Sequence, residues 1–158
     1  MTGRREPRGL ATAIKGVVMA GLLASLLSGC AGGEDKATAA DEQFLNVEHV
    51  VRSHTTTLHS GVPWNTGYSP SVVIDEGLDV KETAQVVNQV ILVAQEELAS
   101  ANVGVRFYFR TETKTVNLKE VVPLLGDLGR QFDSSLSRGT VDLTQDELKA
   151  YQSPGDGS

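Results

Sequence analysis

The alternation of apolar and polar positions divides the chain into stretches with different structural demands. Gly16 to Leu27 (GVVMAGLLASLL) is an unbroken, uncharged apolar run. Ala31 to Gln43 (AGGEDKATAADEQ) is small and polar without a period, which predicts a flexible tether. Asp79 to Ala101 has the strongest pattern. Val80, Ala84, Val87, Ile91, Ala94, Leu98 and Ala101 recur at spacings of four and three, one face of a helix. Val86, Val90 and Val93 widen that face, as a helix laid on a sheet requires. Asp79 and Glu82 stand three apart at its start, a capping-box spacing.

Val103 to Arg110 (VGVRFYFR) alternates with period two, which predicts a half-buried strand. Val103, Val105, Phe107 and Phe109 point one way; Arg106, Tyr108 and Arg110 point the other. The strand is open to continuation through Thr111 to Val116. Two patterns compete before it. Asp41 is placed to cap a helix carrying Phe44, Val47 and Val51, whereas β-branched Val50-Val51 and Thr55-Thr56-Thr57 favour a strand over Asn46 to Leu58. The strand is the preferred assignment. Gly61 to Ser71 (GVPWNTGYSPS) is rich in turn residues and predicts a loop, and Val72 to Asp75 predicts a second strand. Beyond Arg110, Asn117 and Glu120 can cap a helix over Leu118 to Phe132, shortened or broken by Pro123, Gly126 and Gly129. Thr144 with Glu147 starts a last helical turn near Leu148 and Tyr151.

The predicted fold class is therefore α+β. A small three-stranded antiparallel sheet (β-β-α-β) carries one long amphipathic helix, followed by short C-terminal helices. The expected organisation is a signal peptide over residues 1–29, a cysteine and tether over 30–43, one domain over 44–152 and a disordered tail over 153–158.

The N-terminal run has its own logic. Arg4, Arg5, Arg8 and Lys15 precede it, and at 12 residues it is shorter than the about 20 a membrane-spanning helix needs. It ends in Leu27-Ser28-Gly29-Cys30, which resembles the lipobox of bacterial lipoproteins: an aliphatic residue, two small residues, then cysteine. The resemblance implies cleavage before Cys30, acyl chains attached to that residue, and residence on the outer face of the cytoplasmic membrane. Cys30 is the chain's only cysteine, so no intrachain disulfide competes for it. Whether export runs by the general or the twin-arginine route stays open, because Arg4-Arg5 is followed by Glu6, Pro7 and Arg8. In general pattern, over roughly 100 residues, the domain resembles small uncharacterised lipoproteins of actinobacteria. No diagnostic motif accompanies that likeness, and no site residue carries over beyond Cys30.

Charge narrows the choice of partner. The whole chain is −6, and residues 1–29 hold four basic groups and one acid, so the remainder has 10 basic and 19 acidic residues, a formal −9. Such a domain is unsuited to nucleic acid and repelled by anionic headgroups, which leaves the lipid anchor as its route to the membrane. His49, His54 and His59 are five apart, a spacing that spreads side chains on helix or strand instead of gathering them on a metal. Asp75, Glu76 and Asp79 lack the calcium-loop pattern and fit turn and cap duty. Gly67-Tyr68-Ser69-Pro70-Ser71 lacks the second glycine of a nucleophile elbow. No cofactor or metal is expected. The candidate contact residues are Trp64, Asn65 and Tyr68 on the loop, and Arg106, Tyr108 and Arg110 on the strand's second face. The expected role is a non-enzymatic binding or accessory protein of the cell envelope that meets an envelope protein or glycan. The alternative is a small envelope hydrolase or metal-dependent enzyme.

Overall fold

A computed structural model describes residues 32–62, 64–126 and 139–154. The apolar run, the lipobox and Cys30 lie outside the described residues, as do residues 127–132 of the helix predicted to reach Phe132 and residues 155–158 of the predicted tail. The described residues fall within a single unit, Ala31–Ser158.

The first element corrects the tether. Gly32–Phe44 is a helix, α1. Ala37, Ala40 and Phe44 are three and four apart, so they share one face, and all three are buried in the core. Alanine is a strong helix former but a weak hydrophobic signal, which is why a polar composition concealed an amphipathic helix. Glu34 and Asp35 in the first turn also suit the positive end of the helix dipole. Asp41 lies inside α1 instead of capping a helix after it.

Strand β1 is Val50–His59, starting four residues later than the sequence predicts. The chain before it turns at His49, whose φ of 69° is left-handed. Strand β2 is Thr66–Ile74, so most of the predicted Gly61–Ser71 loop is strand. Gly67, Ser69, Pro70 and Ser71 read locally as turn residues, but β2 is held from both sides. Pro70 fits because it faces Thr55, whose own N–H turns outward to Asp41, and because the pairing with the next strand skips Ser69 and Pro70.

Helix α2 is Val80–Glu97, with the capping box formed by Asp79 and Glu82. It leads to strand β3, Gly104–Arg110. β2 and β3 pair in parallel, not antiparallel, since a helical crossover returns the chain to the same end of the sheet. β3 stops at Arg110, and the chain folds back through a turn closed by Thr111 N–H on the Lys114 carbonyl at 2.7 Å. Helix α3 is Leu118–Val121, followed by a 3-10 turn at Val122–Leu124 where Pro123 stands. Strand β4, Thr140–Leu143, pairs antiparallel with β3. Helix α4, Gln145–Ala150, has its own capping box, Thr144 with Glu147.

The sheet is thus four-stranded and mixed, in the order β1-β2-β3-β4. It is α+β as expected, with one strand more than predicted. Tyr68, Val72 and Ile74 from β2, Val105, Phe107 and Phe109 from β3, and Val141 and Leu143 from β4 share one core with buried residues of all four described helices. The helices therefore cover one face of the sheet. The chain after α4 is also attached to this layer: Tyr151 Oη donates to Asn88 Oδ1 at 2.5 Å, and Asn88 Nδ2 donates to Ser153 Oγ at 3.1 Å. Ser153 therefore belongs to the fold instead of the predicted tail.

Candidate functional site

Strand alternation turns the remaining side chains to the opposite face, which no described helix covers. β1 presents Arg52, His54, Thr56 and Leu58; β3 presents Arg106, Tyr108 and Arg110; β4 presents Asp142. Tyr108 is 39% exposed, with Ser71 opposite on one side and Thr140 on the other. On an acidic domain this face is locally cationic. Arg106 is held by a two-point bond to Asp142, with Nε on Oδ1 at 2.6 Å and Nη2 on Oδ2 at 3.2 Å. That carboxylate, with Tyr108 beside it, raises the Arg106 pKa and keeps the charge fixed. Arg52 pairs with Glu112 at 2.5 Å. Arg110 has no ion-pair partner among the described residues. The sequence-predicted stripe of Arg106, Tyr108 and Arg110 is thus exposed on an open surface.

The predicted loop contacts separate. Tyr68 is a correction: its parity in β2 sends it into the core, where it is 2% exposed and its phenol pKa rises through burial. Asn65 is occupied with closing the β1–β2 connection, its side-chain Nδ2 donating to the Ser60 carbonyl at 3.2 Å and its own carbonyl accepting from Ser60 N–H. Trp64 is 73% exposed. Its backbone is tied down, since Asn102 Nδ2 donates to the Trp64 carbonyl at 2.8 Å while Asn102 Oδ1 accepts from Thr66 N–H at 2.7 Å.

A groove of about 380 Å³ crosses this end of the open face between Leu58 and Val103 on one side and Arg106, Asp142 and Glu147 on the other. Its floor is bare because Gly67 and Gly104 are neighbours across β2 and β3. A Cβ on Gly67 would stand 3.1 Å from the Gly104 carbonyl, and one on Gly104, at a φ of 102°, would stand 2.4 Å from the Leu143 carbonyl. Nothing in the local pattern marked this groove, which depends on pairing between distant segments.

The histidines do not gather. His54 stands on the open face, and alternation puts His59 on the other side at the strand's end. His49 alone lines a cleft, about 590 Å³ in volume, with Gln43, Glu48, Glu82, Gln85 and Gln89. Its Nδ1 is 3.0 Å from Asp75 Oδ2, and that hydrogen bond, with smaller help from Glu48 and Glu82, raises its pKa above 6.5. A smaller cleft of about 260 Å³ lies where β2 and β3 end, lined by Asp75, Thr83, Thr111 and Lys114 among others. Glu76 spans its margin, accepting from Thr113 N–H at 3.0 Å and Thr113 Oγ1 at 2.9 Å. Asp79 is the cap of α2, the role its spacing predicts. Among the described residues no three His, Cys, Asp or Glu side chains gather as a metal site. No helix of these residues is long and apolar enough to cross a membrane.

Compared with known protein families, curated proteins and solved structures, the chain matches none.

Proposed function

We propose that this chain is an extracytoplasmic lipoprotein, held on the outer face of the cytoplasmic membrane by acyl chains on Cys30. Its domain is a non-enzymatic binding or accessory module of the cell envelope, and its partner is an envelope protein or glycan. The observation that carries this reading is the sheet face that no described helix covers. The four-stranded sheet, with its described helices on one side, leaves an aromatic ring, Tyr108, between two arginines on the other. Such a ring stacks on a sugar or fills a protein pocket, while Arg110 supplies an available cation and donor fork.

Two experiments separate address from task. Cys30→Ala abolishes incorporation of labelled palmitate and moves the protein to the soluble fraction; unchanged membrane retention sinks the anchor. Crosslinking in intact cells followed by mass spectrometry recovers a specific neighbour, and the Tyr108→Ala/Arg110→Ala double variant loses it while staying folded. A neighbour retained at full yield by that variant removes the open face from the binding site.

A second reading, a small envelope hydrolase, has the His49–Asp75 pair in its favour. A histidine oriented by a carboxylate is a general-base unit, and its cleft joins polar groups from the α1–β1 connection and from α2. It requires that His49→Ala abolish a hydrolytic turnover that Tyr108→Ala leaves intact.

A further inference from the structure

Three features that are remote in sequence meet at one end of the sheet. The first is Trp64, an exposed indole on a backbone fixed by Asn102. The second is a pair of exposed aliphatic side chains at the same end of the strands. Leu58, 40% exposed, pairs with Gly67, and Val103, 45% exposed, has its Cβ 3.2 Å from where a Gly67 Cβ would lie. The third is the start of α1. A Cβ on Gly33 would touch the methyls of Thr57 and Thr66 at 3.2 and 3.8 Å, and Lys36 Nζ donates to Ser100 Oγ at 2.7 Å. Thr66 is thus flanked by the Trp64 connection, the α2–β3 connection and the first turn of α1.

Chain length decides what faces this end. Only Ala31 separates Cys30 from α1, so Cys30 can be no more than about 10 Å along the chain from Gly33. A tether of 13 flexible residues would have let the domain roam; a helix that starts at Gly32 does not. Lipid on Cys30 places that residue at the headgroup layer, and the start of α1 must be beside it. Tryptophan is the side chain best suited to that layer, because its apolar rings and its N–H are satisfied together there.

We propose that the Trp64 end of the domain rests on the bilayer, with Trp64 inserted among the headgroups and Leu58 and Val103 at its edge. This rests on the lipidation of Cys30 proposed above. The lipid and the indole form a two-point attachment, which fixes orientation where one point would allow swivelling. The contact is apolar, because Glu34, Asp35, Asp142 and Glu147 at this end outnumber Lys36 and Arg106 and leave no cationic surface for headgroups. It therefore needs no anionic lipid and resists salt.

Trp64 is the chain's only tryptophan, so its fluorescence reports this contact without interference. The full mature lipoprotein, acyl chains attached, is reconstituted into phosphatidylcholine vesicles with and without bromine on the lipid acyl chains. The expected result is blue-shifted emission, quenched roughly twofold or more by the brominated lipid and unchanged by added salt. A Lys114→Cys variant with a bimane on that thiol keeps Trp64 in place and puts a second reporter on the turn after β3, at the other end of the strands and roughly 20 Å away. There quenching is expected to be absent. Protein that floats with the vesicles but emits from Trp64 as though in water overturns the proposal and leaves the anchor standing. Equal quenching at both positions overturns the fixed orientation. Protein that does not float at all overturns the anchor reading, and this proposal with it.

Discussion

Replacing Asp41 by alanine tests whether α1 belongs to the fold. Its carboxylate accepts three hydrogen bonds from β1: Ser53 Oγ at 2.5 Å, Thr55 N–H at 2.7 Å and Thr55 Oγ1 at 2.7 Å. β1 is an edge strand, and the outward Thr55 amide would otherwise lack a strand partner. Thr55 is only 6% exposed, so water replaces the lost acceptor poorly. A hydrogen bond to a charged group contributes about 1.5–3 kcal/mol when buried, and Asp41 is half-buried, so the three together are discounted to about 2–4 kcal/mol. For a domain of this size that lowers Tm by roughly 10 °C. Thermal unfolding followed by circular dichroism measures it, with Glu42→Ala, an exposed neighbour on the same helix, expected within about 0.5 kcal/mol of the parent. A cycle with Thr55→Val isolates about 1–2 kcal/mol of coupling between the two residues. If Asp41→Ala and Glu42→Ala melt together, α1 is not docked, and the two-point attachment loses its geometry as well.

Other outcomes follow from the same contacts. Tyr151→Phe leaves Asn88 Oδ1 without its buried donor and costs about 1–2 kcal/mol in urea unfolding. Burial pushes the Tyr151 phenol up to about 12 from 10.0, so folding stability falls as pH climbs past 10, and ultraviolet titration finds a tyrosine that ionises late. The His49 imidazole is raised by its bond to Asp75, so its stabilising contribution is complete below pH 6.5 and disappears as pH rises through the folded-state value. Proton NMR titration of His49 should show the raised midpoint, and Asp75→Asn should return it to the ordinary range. Gly104→Ala forces a methyl to 2.4 Å from the Leu143 carbonyl at a φ of 102°, so it should cost roughly 3 kcal/mol or more and expose the β4 amides to hydrogen exchange.

How far these elements could be anticipated depends on how locally each is encoded. α2 carries five apolar positions in register, continued by Leu98 and Ala101 just beyond its end, and its own capping box, so it was visible without tertiary information. β3 was visible because each inward side chain is large and each outward one polar. α1 has only two alanines and one phenylalanine facing inward, a stripe too weak to distinguish from a tether. β2 was partly hidden by Pro70 and its small neighbours, whose turn preferences yield once strands hold them on both sides. β4 has four residues, too few for a period to register. Parallel pairing of β2 with β3 is a property of the crossover and leaves no mark in either strand. The same division holds for the surface. Arg106, Tyr108 and Arg110 followed from the parity of one strand. Tyr68 did not, because its parity depends on where β2 begins, and Asp142, which holds Arg106, lies 36 positions away.

The strand order β1-β2-β3-β4 is also the order of the chain. Each new strand joins the edge left by its predecessor, and none has to be threaded between two that already exist. A polypeptide entering a compartment from its N-terminus can therefore build this sheet as it arrives. The first helix and hairpin form a platform, α2 carries the chain across it, and β3 and β4 complete it in turn. Every unfinished stage exposes a strand edge, and the next segment to arrive is the one that pairs with it. Such a succession keeps each new edge exposed only until the next segment arrives.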